Sequence, residues 1–132
     1  MNELLTYLVS RLSFLYNEYD ARFVDSRVRG PDAMLVLETG NLRLRLVRDR
    51  SQLFVDFQSA ENPREDYWFS FDMIRQLLTD EIVDSAEMDD EKAEFIYDHF
   101  STIADAFSAS KRNETEKKLR VYEHARAKRL FG

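Results

Sequence analysis

The sequence has no cysteine, three glycines, two prolines and two histidines among its 132 residues. Without cysteine there is no disulfide and no thiolate metal site, and a reducing cytoplasm is the expected home. So few glycines leave no phosphate-cradling loop, and no nucleophile elbow is present. His99 and His124 fall on predicted helices, neither with a His or carboxylate at the spacing of a helical metal motif. No cofactor and no catalytic residue is therefore expected. Basic residues are also short, with 19 Lys and Arg against 25 Asp and Glu, a net charge of -6. General nucleic-acid binding, which needs cations to displace counterions from phosphates, is not expected. There is no long hydrophobic run. The first helix-like segment opens with Asn2 and Glu3 and is interrupted by Arg11, so neither a signal peptide nor a membrane span is expected.

What is present is 44% hydrophobic and 13% aromatic content, enough for one compact domain that buries roughly 65 to 70% of its unfolded surface. The clearest pattern runs from Leu35 to Phe57. Turns at Gly40-Asn41 and Asp49-Arg50 would set Leu37 opposite Leu44 opposite Val55, Leu35 opposite Leu46 opposite Leu53, and Thr39 opposite Leu42 opposite Phe57. Glu38, Arg43 and Asp56 would then form a charged row on the other face, as the period of two requires. Arg22 to Val28, ending at the turn signal Arg29-Gly30-Pro31-Asp32, reads as a first, edge strand.

Helices flank this meander. Leu5, Leu8, Val9, Leu12, Leu15, Tyr16 and Tyr19 share one face of a helix over 2–19, capped by Asn2. Residues 59–66 form an aperiodic loop, after which Ser70 is placed to cap a short helix carrying Phe71, Ile74, Leu77 and Leu78. A long helix starts near Asp89 or Asp90, with Ile96, Phe100, Ile103 and Phe107 as its buried stripe. A last helix over 114–131 follows a break at 108–113, with a thin apolar side of Leu119, Tyr122, Ala125, Leu130 and Phe131. The expected fold is α+β: an N-terminal helix on a four-stranded antiparallel meander (1–58), then about three helices (66–131), in a single domain.

Several surfaces are candidates for contact. From Asp80 to Asp98 the chain carries Asp80, Glu81, Asp84, Glu87, Asp89, Asp90, Glu91, Glu94 and Asp98 against one base, Lys92, while 111–129 is mostly basic. The acids could meet a basic partner, or they could be solvated helix faces that attract the basic tail. The outer sheet face sets Arg43, Arg45, Glu38, Asp56 and Gln58 beside Met34, Val36, Val47 and Phe54, and would be either a docking face or a surface covered by the last helix. The hairpin tip 48–51 concentrates three charges. Of the aromatic group Tyr67, Trp68, Phe69 and Phe71, at least two should be core, with Trp68 informative if exposed.

A helix followed by strands resembles the restriction-endonuclease-like nucleases, whose metal site needs an acid and an acid-x-lysine on adjacent strands. Asp56-Phe57-Gln58 lacks that lysine, and Glu116-Lys117-Lys118 falls on a helix. The runs from Leu42 to Phe57 and from Tyr67 to Leu78 resemble small bacterial proteins of the immunity type found in polymorphic-toxin systems, over about a third of the chain. This resemblance implies a cytoplasmic protein that acts by binding another protein, in its most concrete form a basic toxin domain. The alternative is a structural or regulatory module that self-associates through its last helix into a homo-oligomer.

Overall fold

Four eight-residue strands, β1 (Arg22–Arg29), β2 (Asp32–Thr39), β3 (Leu42–Asp49) and β4 (Gln52–Ser59), alternate with two-residue loops at Gly30-Pro31, Gly40-Asn41 and Arg50-Ser51 in the computed structural model, which describes residues 1–61, 63–64 and 67–132. The strands form an antiparallel meander, and a two-residue β5 (Phe69–Ser70) pairs with β4 as a fifth. Helices α1 (Asn2–Arg11) and α2 (Phe14–Glu18) precede the sheet. Helices α3 (Phe71–Thr79), α4 (Asp90–Ala106) and α5 (Arg112–Phe131) follow it. The expected α+β order is the observed one, with the extra strand added. Of the predicted loop 59–66, Ser59 belongs to β4, and Asn62, Glu65 and Asp66 lie outside the described residues. No helix among the described residues is long and apolar enough to cross a membrane.

The first hairpin has the expected register, Leu35 opposite Leu46 and Leu37 opposite Leu44. The second differs by two residues: Leu44 faces Phe57, Leu46 faces Val55 and Arg45 faces Asp56, because the turn is at Arg50-Ser51 rather than Asp49-Arg50. A shift of two keeps each side chain on its face, so Leu35, Leu37, Leu42, Leu44, Leu46, Val55 and Phe57 are all buried as the pattern demands. In each of the three loops only the first residue has positive φ, at Gly30, Gly40 and Arg50, as in a type II′ turn. Glycine fits that position; Arg50, at φ 61, does not. Its backbone N–H donates to Asp32 Oδ1 at 3.1 Å, which holds the turn in place. Arg50→Gly is therefore expected to stabilise the protein by about 0.5 to 1 kcal/mol, the left-handed penalty less glycine's extra chain entropy. A urea midpoint that falls would contradict this.

The core takes side chains from every element except β1. Leu4, Leu8, Leu12 and Leu15 fill it from the N-terminal segment, while Leu5 and Val9, expected inside, are exposed. The single helix predicted over 2–19 is broken at Leu12-Ser13. The break has a packing reason. In a straight helix residue 14 would lie about 200° round from residue 12, yet Leu12, Phe14 and Leu15 are all buried. The α4 stripe of Ile96, Phe100, Ile103 and Phe107 is buried throughout, and Asp89 caps that helix by accepting from the Lys92 N–H at 2.8 Å.

Ser70 precedes α3 in extended conformation but makes no capping bond. Its hydroxyl donates to Asp72 instead and accepts from Arg126 Nη1 at 2.9 Å. Arg126 also reaches the buried Asp72 carboxylate at 2.8 Å, which fastens α5 against α3. α5 is also fastened by Leu119, fully buried, by the stacking of Arg120 on Tyr67, 4.2 Å from the ring centroid, by Arg112 on Glu61 at 2.7 Å and by the Thr115 hydroxyl, which donates to the Ala106 carbonyl at 2.6 Å. Of the thin apolar side expected of this helix, Tyr122 is half-buried, while Ala125, Leu130 and Phe131 are exposed.

Candidate functional site

The core face of β2 to β4 is covered by helices, and the opposite face carries a row of apolar side chains running straight across three strands. Met34 opposes Val47 and Val47 opposes Phe54, with Arg27 completing the row on β1. Met34, Val47 and Phe54 are half-buried, and together they floor a groove of about 490 Å³. On one side lies the row Asp25, Val36, Arg45, Asp56; on the other, Arg29, Asp32, Asp49. A second hollow of about 250 Å³ adjoins it, with Met34 and Arg45 lining both, and continues past Val36, Arg43 and Trp68. Among the described residues no helix residue lines either hollow, so the last helix does not cover them.

The charges here are locally matched. Arg45 donates from Nε and Nη2 to Asp56 Oδ2 at 3.1 and 2.7 Å, while its guanidinium carbon lies 4.7 Å from the Trp68 ring centroid. Burial pushes the Asp56 carboxyl above its ordinary value, and the Arg45 hydrogen bond opposes that shift. Arg43 pairs with Glu38 at 3.2 Å, and Arg22 reaches the same carboxylate from β1 at 2.9 Å. Gln58, buried at the end of β4, donates from Nε2 to the Arg64 carbonyl at 2.8 Å and so holds the following loop beside the face. Trp68 is half-buried at the rim of the second hollow; Phe69 and Phe71 are core, as expected of two of the four aromatics. At the hairpin tip, Arg48 is drawn back to Glu3 and to the Pro31 carbonyl, at 2.9 and 2.6 Å.

The acidic segment lies elsewhere and much of it is internally engaged. Glu81 and Glu91 both pair with Arg75, Asp84 with Arg129, and Asp90 with Arg11, while Asp89 caps α4. Arg129 holds the Asp84 carboxyl below its ordinary value by hydrogen bond and charge. The one base, Lys92, is buried and donates to the Glu87 carbonyl at 2.5 Å. The Met88 N–H donates to the Leu53 carbonyl at 2.7 Å, tying the segment to the sheet edge. Tyr7 donates to the Asp89 carbonyl at 3.0 Å, and burial with the nearby Asp89 and Asp90 charges pushes its phenol up to about 12. Asp80 closes α3 in left-handed conformation. Asp80, Glu87, Glu94 and Asp98 are exposed and in no ion pair among the described residues.

The residues singled out from sequence thus fall into two groups. Arg43, Arg45 and Trp68 meet at the outer-face hollows; Asp80, Glu81, Asp84, Glu87 and Asp89 lie on the separate connection between α3 and α4, and Asp90 and Glu91 in the first turn of α4. Sequence reasoning missed the straight row through Met34, Val47 and Phe54, although the ten-residue spacing of Gly30 and Gly40 points to a third loop at 50 and hence to that register. His99 stacks on Phe95 at 4.3 Å between centroids, and His124 is exposed. Among the described residues no three His, Cys, Asp or Glu side chains are grouped to hold a metal ion. No protein-family model, curated protein or solved structure matches the chain.

Proposed function

We propose that this protein acts by binding another protein through the outer face of its sheet, as a cytoplasmic immunity-type inhibitor that occludes a toxin domain. The observation that carries the docking face is the apolar row Met34, Val47 and Phe54, uncovered by any helix and flanked by Arg27, Arg45 and Trp68. Apolar floors with arginine and tryptophan at their edges are the composition of interface hot spots. The immunity reading rests on the strand-turn-strand-helix resemblance. Co-expression with a toxin domain encoded beside this protein tests both parts. The native protein should restore growth, and Phe54→Glu should abolish the rescue without changing the melting temperature. No rescue by the native protein overturns the inhibitor reading, and undiminished rescue by Phe54→Glu overturns the docking face.

The acidic segment has a separate part in this proposal, attracting a basic partner over distance. Asp80, Glu87, Glu94 and Asp98 can be neutralised together without breaking an ion pair, so Asp80→Asn, Glu87→Gln, Glu94→Gln and Asp98→Asn should slow association and flatten its salt dependence while stability holds. Charges of this kind are screened over about 8 Å at physiological ionic strength. An association rate indifferent to both salt and these substitutions removes the segment from recognition.

A second reading, self-association through α5, is favoured by Val121, Leu130 and Phe131, which are 65, 52 and 86% exposed. Leu130→Asp with Phe131→Asp should then lower the sedimentation coefficient.

A further inference from the structure

The edge of the sheet at β1 is open. All eight residues of β1 are exposed, and no described strand pairs with its free side. On its core face Phe23 and Val28 stand opposite Leu37 and Ala33 but remain 56 and 58% exposed. Leu5 and Val9 of α1 are exposed as well, and Leu5 joins Met1, Phe23 and Val24 around an open apolar hollow at this edge. The helix layer and the sheet therefore both stop short here. Exposed strand edges normally invite pairing, and proteins blunt them with charges and bulges. β1 has a bulge at Val24 and charges at Asp25, Arg27 and Arg29, so any pairing must satisfy those charges.

We propose that β1 pairs antiparallel with β1 of a second copy about a two-fold axis through Ser26, joining two five-stranded sheets into one. Among the axes from Asp25 to Val28, charge selects this register. With Ser26 on the axis, Asp25 of each copy faces Arg27 of the other on the outer side, giving two opposite-charge pairs. Moving the axis to Asp25 opposes two aspartates; moving it to Arg27 opposes two arginines; moving it to Val28 opposes Arg27 with Arg29. Cross-strand pairs of opposite charge favour a register and like charges disfavour it, and an isologous interface must be self-complementary in this way. Arg27 already holds Asp25 of its own strand at 3.3 Å, so the pairing extends an existing contact into a four-membered alternation of charge. Within one copy, the bulge and the charges keep β1 from pairing in other registers.

The absence of cysteine makes the test direct. Ser26→Cys places a single thiol on the axis of the full chain, and mild oxidation should yield a disulfide-linked dimer in high fraction. Ser110→Cys, an exposed thiol on the loop before α5, should give only collisional background. Sedimentation of the native protein should show a dimer that Ser26→Lys, with two ammonium groups meeting on the axis, converts to a monomer with an unchanged circular-dichroism spectrum. A native monomer, or cross-linking of Ser26→Cys no greater than that of Ser110→Cys, overturns the proposal. A dimer that survives Ser26→Lys but is lost with Leu130→Asp and Phe131→Asp places the contact on α5 and likewise overturns it.

Discussion

Leu44→Ala is expected to lower the stability of the folded chain by about 2 to 5 kcal/mol, the range for truncating a packed leucine whose surroundings cannot collapse around the loss. Leu44 is completely buried at the centre of the sheet, with Leu37 on one side and Phe57 on the other. Both neighbours are locked in hydrogen-bonded strands, so the cavity persists. Urea denaturation should show the midpoint falling with the slope unchanged. An unchanged midpoint would mean that Leu44 does not face the core. Arg43→Ala, one residue along on the outer face, should cost less, because its partner Glu38 keeps a second cation, Arg22, at 2.9 Å.

Arg126→Met is expected to cost about 3 kcal/mol, the lower end of the range for stranding a buried carboxylate. The Asp72 side chain is 2% exposed and Arg126 is the cation that meets it, at 2.8 Å, while Arg126 itself is 28% exposed and so loses less on replacement. The same substitution frees Ser70 of its second hydrogen bond and loosens α5 from α3. Combining it with Asp72→Asn should restore part of the loss, since the stranded charge is then gone. A double variant no more stable than Arg126→Met alone would show that the cost lies in helix packing rather than in charge.

The strongly periodic parts of this fold were legible from sequence. Alternation in Leu35 to Leu46 fixed which residues are core, and the four, three, four spacing of Ile96, Phe100, Ile103 and Phe107 placed the α4 stripe correctly. What was not legible depended on packing between distant elements. The N-terminal stripe was assigned to Leu5 and Val9, because a straight helix through 2–19 was the simplest period. The structure turns at Leu12-Ser13, and Leu4 takes the buried place. The role of Arg126 could not be read from α5, since its partners Ser70 and Asp72 stand more than fifty positions earlier. The second turn was misplaced for a chemical reason: Asp49 suits turns, whereas Arg50 in left-handed conformation suits them poorly and is held there by Asp32.

The sequence of β3 admits two registers against β4. Leucine recurs at every second position from Leu42 to Leu46, so β3 sliding by two residues against β4 buries the same side chains as the native pairing. Hydrophobic collapse alone does not distinguish the two hairpins, and an unfolded chain visits both. The choice rests on contacts that carry direction: the bond from the Arg50 N–H to Asp32 at the loop, the pairing of Phe57 with Phe69, and the bond from the Met88 N–H to the Leu53 carbonyl. The last two involve segments synthesised after the meander is complete. The native register of the second hairpin therefore leans on contacts from the C-terminal half, and its own loop supplies the weakest of the three turn signals.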